Sequence, residues 1–112
     1  MKLIVALIQP YKMEAIKQAL STVDVKGLTV SEVRGFGRQR GHPSRYRGTL
    51  TEAEFVHKLK LEVIVPDSAA ALVQETILRN AKTGKVGDGK IFVHALDSVT
   101  RIRTGETGDT AV

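Results

Sequence analysis

Two short stretches of this sequence carry residues suited to gripping an oxyanion. The first is Thr83-Gly84-Lys85-Val86-Gly87-Asp88-Gly89-Lys90, with three glycines and two lysines in eight residues. Glycine permits positive φ and lets backbone N–H groups approach a ligand closely, and successive N–H groups in such turns make anion-binding nests. The second is Arg101-Ile102-Arg103. On a strand, residues two apart share a face with their roots about 6 to 7 Å apart, and two guanidinium forks side by side can grip a polyphosphate. A third cationic stretch holds Arg34, Arg38, Arg40, Arg45 and Arg47 and no acid. Of the 17 basic residues, those five account for the whole net charge of +5, leaving twelve against the 12 acidic ones. The basicity is one loop, and it calls for an anionic partner there: phosphate, carboxylate or nucleic acid.

Several familiar patterns come close and fail. Gly84 to Lys90 satisfies G-x-x-x-x-G-K, but Ile91 stands where a P-loop needs Ser or Thr for Mg²⁺. The loop also leaves a helix and enters a strand, the reverse of a Walker site. Gly35-Phe36-Gly37 opens a dinucleotide fingerprint that breaks at Arg40. Arg34-Gly35-Phe36-Gly37 opens an RNA-recognition strand that breaks at Arg38-Gln39, and five aromatics in the chain leave few platforms for stacked bases. Catalysis has little to stand on. His42, His57 and His94 share no metal-ligand spacing, Asp88 serves equally as a general base or as a turn residue, and nothing pairs a nucleophile with a base. A phosphate-binding module fits better than an enzyme or a nucleic-acid binder.

The elements that position these residues follow from hydrophobic period. Residues 2 to 9 read as a buried strand bounded by Pro10. Met13, Ile16, Leu20 and Val23 recur at helical spacing from about Lys12 to Asp24, with Lys26-Gly27 ending the helix. Leu28 to Phe36 reads as a second strand, with Val30 inward and Glu32 and Arg34 outward. From Gly37 to Glu54 no apolar period survives, and loops of that length in small domains are usually functional. Val56 to Val65 alternates Leu59, Leu61, Val63 and Val65 on one face with Lys58, Lys60 and Glu62 on the other. Asp67 is placed to cap a helix whose inward residues are Leu72, Val73, Thr76, Ile77 and Ala81. Strands over Lys90–His94 and Ser98–Arg103 follow. The order predicts one α+β domain over 1–112: a ferredoxin-like βαββαβ with an extra C-terminal strand and a long loop between strands 2 and 3. One sheet face stays bare in such a monomer, so a homo-oligomer is expected. Zero cysteine fits a reducing compartment. The apolar run Leu3–Ile8 is too short to span a bilayer or act as a signal peptide, so a cytoplasmic protein without membrane insertion is expected.

At this point the sequence resembles the P-II signal-transduction proteins over essentially its whole length. The specific pieces are Gly35-Phe36-Gly37-Arg38-Gln39-Arg40-Gly41-His42, Tyr46-Arg47-Gly48, Thr83 through Val93, and Arg101-Ile102-Arg103-Thr104-Gly105-Glu106. The resemblance implies a homotrimer with three clefts between subunits, each taking ATP or ADP. It assigns nucleotide contacts to Thr29, Gly35, Phe36, Gly37, Arg38, Glu62, Ile64, Gly87, Asp88, Gly89, Lys90, Arg101 and Arg103, with the two arginines supplied by the adjoining subunit. It implies Mg²⁺ held with the help of Gln39, and 2-oxoglutarate bound through Gln39 and Lys58. Residues 83–90 correspond to its B-loop, 101–108 to its C-terminal loop, and 37–54 to its T-loop. The T-loop's Arg45, Tyr46, Arg47, Thr49 and Thr51 would meet a membrane transporter or a metabolic enzyme, and the arginine matching Arg47 plugs an ammonium channel in the family.

Departures from that pattern bear on function. Thr51 stands where many relatives carry a tyrosine that is uridylylated or adenylylated, so that modification is expected to be absent. Thr49 lies where some carry a phosphorylated serine. Gln9 replaces a lysine or arginine that helps neutralise 2-oxoglutarate. Losing one charge-assisted bond costs about 1.5 to 3 kcal/mol. The sequence therefore predicts a nitrogen-metabolism regulator. The alternative is a divergent nucleotide sensor tied to inorganic carbon, with bicarbonate as the small anion and little response to 2-oxoglutarate.

Overall fold

The computed structural model describes residues 1–36 and 55–112, and the expected T-loop over 37–54 lies outside them. Strands β1 (Lys2–Ile8), β2 (Thr29–Gly35), β3 (Val56–Val65) and β4 (Gly89–Ala95) alternate with helices α1 (Met13–Ser21) and α2 (Asp67–Ala81). The sheet order is β2-β3-β1-β4, every pair antiparallel. That is the ferredoxin-like arrangement, with both helices packed on one face.

Register assigns the faces. Ile4, Ala6 and Ile8 lie opposite Val63, Leu61 and Leu59 on β3. With Ile16 and Leu20 of α1 and Ala70, Val73, Ile77 and Ala81 of α2 they form the core, Leu59 packing half-buried against it. Thr76 is buried among them and donates its hydroxyl to Leu72 O at 2.7 Å, so no polar atom is stranded. The opposite face carries Leu3, Val5, Leu7, Val33, Ile64 and Phe92 among Lys58, Lys60, Glu62, Lys90 and His94. Among the described residues no helix covers it, and Ile64 and Phe92 remain 38% and 40% exposed.

Several expectations are corrected. Val30, Glu32 and Arg34 share one side of β2, as a period of two requires, opposite Leu61, Leu59 and His57. That side faces the helix layer, but β2 is an edge strand beyond helix cover, so Val30 is 41% exposed. Leu72 is exposed because the buried stripe of α2 runs through Ala70 and Val73 instead. Asp67 does not cap α2. Pro66 occupies the cap position, and the Asp67 carboxylate accepts from the α-amino group of Met1 at 2.7 Å. The extra strand over Ser98–Arg103 is absent; a single bridge between Thr100 and Thr107 closes a tight turn there.

Helix α1 ends earlier than Gly27. Asp24 adopts φ +61°, and the Val25 amide reaches back to Leu20 O at 3.3 Å. This is a left-handed C-terminal cap built without glycine. Replacing Asp24 with glycine removes the steric cost of that conformation, so Asp24→Gly is expected to raise stability by about 0.5 to 1 kcal/mol. Urea unfolding measures it, and a lower midpoint for the variant contradicts the assignment.

Candidate functional site

The loop from Thr83 to Asp88 is tied to itself by one carboxylate. Asp88 accepts from the Thr83 and Gly84 amides, each at 2.8 Å, and from the Thr83 hydroxyl. The same hydroxyl accepts the Lys85 amide at 3.2 Å. These bonds, the Thr83 hydroxyl first, hold the Asp88 carboxyl below the usual carboxylate range. With its lone pairs so committed, Asp88 works as a turn staple rather than a general base. Gly84, Gly87 and Gly89 supply φ of +87°, +103° and +100°. Crowding adds a second demand at Gly89, where a Cβ would lie 1.7 Å from Leu7 O.

Around this loop gathers one group of the predicted residues. Ile8 pairs with both Leu59 and Gly89, so the end of the sheet brings together β1, β3 and the start of β4. Lys58 donates its ammonium to Gly87 O. Burial pushes the Lys58 ammonium down, partly offset by the Asp88 charge. Lys90 is exposed and lies opposite Leu7 on the bare face. Gly35 pairs with Val56 at the same end, and the Phe36 and Phe55 rings meet with centroids 5.9 Å apart, bringing together the two ends of the 37–54 segment.

A second group sits elsewhere. Thr29 lies opposite Glu62, and with Ile64 they line a cavity of about 550 Å³ closed by residues 23–28 and by Val99, Asp109, Ala111 and Val112. The arginine turn rises from this wall, since Gly108 N donates to Val99 O at 3.1 Å. Arg101 and Arg103 therefore belong to a turn, not to one face of a strand as expected. Arg101 is half-buried against Glu106, at 3.2 Å, while Arg103 is exposed. A separate groove of about 630 Å³ runs beside β4 past Asp88, Gly89 and Lys90. Thr29, Glu62 and Ile64 line the first cavity, and Asp88, Gly89 and Lys90 the second. Gly37, Arg38, Gln39, Arg45, Tyr46, Arg47, Thr49 and Thr51 lie outside the described residues.

The family model described as Nitrogen regulatory protein P-II matches residues 1–106. This chain belongs to the P-II family. Nitrogen regulatory protein P-II 1 of Escherichia coli (strain K12) is 49% identical over 112 residues, the full length of both chains. Nitrogen regulatory protein P-II of Haemophilus influenzae is 47% identical and that of Rhizobium etli 46%, each again over the full length of both. Membership makes the protein a signalling regulator rather than an enzyme. Among the described residues no helix is long and apolar enough to cross a membrane.

In this P-II protein, sequence reasoning missed the residues that hold others in place. Thr83 organises the glycine loop, Leu7 offers the carbonyl under Gly89, and Glu106, itself bonded by the Thr104 hydroxyl, accepts from Arg101. The signal for Thr83 was present, since a hydroxyl before Gly-x-x-Gly-Asp can satisfy a turn. A carboxylate whose folded pKa is lowered stabilises the fold above its unfolded pKa and loses that contribution as pH falls through the folded value. The Thr83 and Gly84 amides should therefore lose protection against exchange, relative to their intrinsic rates, as pH falls below the ordinary carboxylate range and the Asp88 carboxyl is protonated. Thr83→Val should move Asp88 back up in an NMR titration. An unchanged Asp88 midpoint would show that the hydroxyl is not the main cause.

Proposed function

We propose that this chain is an adenine-nucleotide sensor whose sites are completed between copies of itself in a homotrimer. The observation that carries this reading is the division of the predicted contacts. Gly35, Lys58 and Gly87–Lys90 share one end of the sheet, whereas Thr29, Glu62, Ile64 and the Arg101–Arg103 turn share a distant edge. Thr29 and Gly35 are six residues apart on β2, about 20 Å of extended strand. A protomer cannot fold that strand to close the gap; a neighbour can supply the missing half. The bare face, with Leu7, Ile64 and Phe92, offers apolar area for such an assembly.

The adenine moiety would occupy the cavity beside Thr29, Glu62 and Ile64 of one copy. The loop at Gly84–Gly89 and Lys90 of the next would take the phosphates, joined by Arg101 and Arg103. Gly84 suits this role because a Cβ there would meet nothing within 4 Å, so the outer surface of the loop is open. Among the described residues no group of three or more His, Asp or Glu could hold a metal. Mg²⁺ would thus be held by Gln39 and the phosphates, where it would neutralise phosphate charge. Regulation would run through the segment between Phe36 and Phe55, which carries Arg45, Tyr46, Arg47, Thr49 and Thr51 to a transporter or metabolic enzyme in nitrogen metabolism. Calorimetric titration with ATP and with ADP tests the reading. Both should bind, and Lys90→Ala and Arg103→Ala should each weaken binding at least about tenfold. Undetectable binding of both nucleotides by the unaltered protein overturns it.

The small-anion ligand divides two versions of this function. Gln9 lies one step beyond the Ile8–Leu59 pair, on the face of Lys58. A 2-oxoglutarate seated at Lys58 would meet a neutral amide there rather than a second cation. That favours weak 2-oxoglutarate binding, or a different anion such as bicarbonate and a link to inorganic carbon. With Mg-ATP present, Gln9→Lys should tighten 2-oxoglutarate binding about tenfold. No change in affinity would remove the charge argument.

A further inference from the structure

The turn that carries the two arginines is built unequally around them. The Arg101 amide donates to Glu106 O at 2.8 Å, and the Gly105 amide returns to Arg101 O at 2.8 Å. Gly105 supplies the φ of +74° that closes this ring. Within the ring, one oxygen of the Glu106 carboxylate accepts from the Arg101 guanidinium at 3.2 Å and from the Thr104 hydroxyl at 2.8 Å. The Thr104 oxygen in turn accepts the Glu106 amide at 3.2 Å. Glu106 is thus fixed by Thr104 and by its own backbone before it meets the guanidinium. Arg103, two residues on, is exposed, and no ion-pair partner for it occurs among the described residues.

From this asymmetry we infer that Thr104 and Glu106 are positioning residues that preset Arg101 for a nucleotide phosphate, leaving Arg103 to close on it afterwards. The inference rests on the reading of Arg101 as a phosphate ligand. Glu106 engages one guanidinium nitrogen, and a guanidinium has five N–H donors in a rigid fork, so donors remain for a phosphate. A side chain already held in its binding geometry loses less freedom when the ligand arrives. Against this stands the Glu106 charge, which repels a polyphosphate. The two effects have opposite signs when Glu106 is removed, and an experiment can separate them.

ATP is titrated calorimetrically into the full-length protein and its variants, with urea unfolding run in parallel. Positioning predicts that Glu106→Ala weakens ATP binding about tenfold, while Glu106→Gln, which keeps an acceptor oxygen in place, stays within about threefold. Thr104→Val should fall between them. In an Arg101→Ala background, Glu106→Ala should add no further loss, because positioning acts through Arg101 and only the repulsive effect of the Glu106 charge would remain. Tighter ATP binding in both Glu106 variants would overturn the inference in favour of simple repulsion. A full additional loss in the Arg101→Ala background, or an affinity loss matched by a lowered unfolding midpoint, would overturn it in favour of a structural role. If the unaltered protein binds no ATP, the nucleotide reading itself falls. If it binds ATP and loses it in Arg101→Ala but not in Glu106→Ala, only the positioning role falls.

Discussion

An extended strand cannot be shortened, and that constraint organises this protein. Along β3, Lys58 and Glu62 point to the same bare face but stand four residues apart, about 13 Å. Along β2, Gly35 and Thr29 are separated further still. The sheet fixes both distances because β3 is hydrogen-bonded on each side, to β1 and to β2. Two chemically complementary groups are thereby held apart on a rigid platform. Among the described residues, the same platform has one face without a helical cover. An assembly that buried the bare face and set one copy's edge against another copy's loop would tie oligomerisation and the proposed ligand site to a single geometric fact.

Preorganisation recurs in both groups. At the glycine loop, a carboxylate ties down three donors, and Gly89 lets the chain pass against the Leu7 carbonyl where any side chain would collide. At the arginine turn, a carboxylate fixed by a hydroxyl holds one guanidinium while its neighbour stays in solvent. Loops built this way lose little freedom when an anion arrives. The Phe36–Phe55 contact matters for a different reason. It joins the two ends of the arginine-rich segment directly beside Gly35 and Lys58. A ligand there would touch the base of that segment, and differential binding to its conformations is all that coupling to a partner requires.

Much of this was legible in the sequence because period and punctuation are local signals. The limits of β3 were read without error from strict alternation between Val56 and Val65, closed by Pro66. The core stripe of α2 is legible at Val73, Thr76, Ile77 and Ala81 but not at Leu72, which lies one turn before Thr76 at the stripe's edge yet about 100° from Val73. Arg101 and Arg103 read from the sequence as a strand pair yet belong to a turn, because the residues that bend the chain act across it: Gly105 and Glu106 bond back to Arg101. The staple at Asp88 and the carbonyl of Leu7 are tertiary contacts with no periodic trace. Neither the separation of the predicted contacts into two groups nor its consequence could be seen before the register was known.

Mixing two crippled proteins tests the central claim most directly. Lys90→Ala disables the phosphate loop and Arg103→Ala the arginine turn, and each variant alone should lose ATP binding. Unfolded and refolded together, they should assemble into mixed particles in which an intact loop faces an intact turn at some seams. The account predicts that ATP binding returns in the mixture, to a fraction of the unaltered capacity and with restored affinity. If the co-refolded mixture forms mixed particles yet binds no better than its two components, the site is not shared between protomers and the account is wrong.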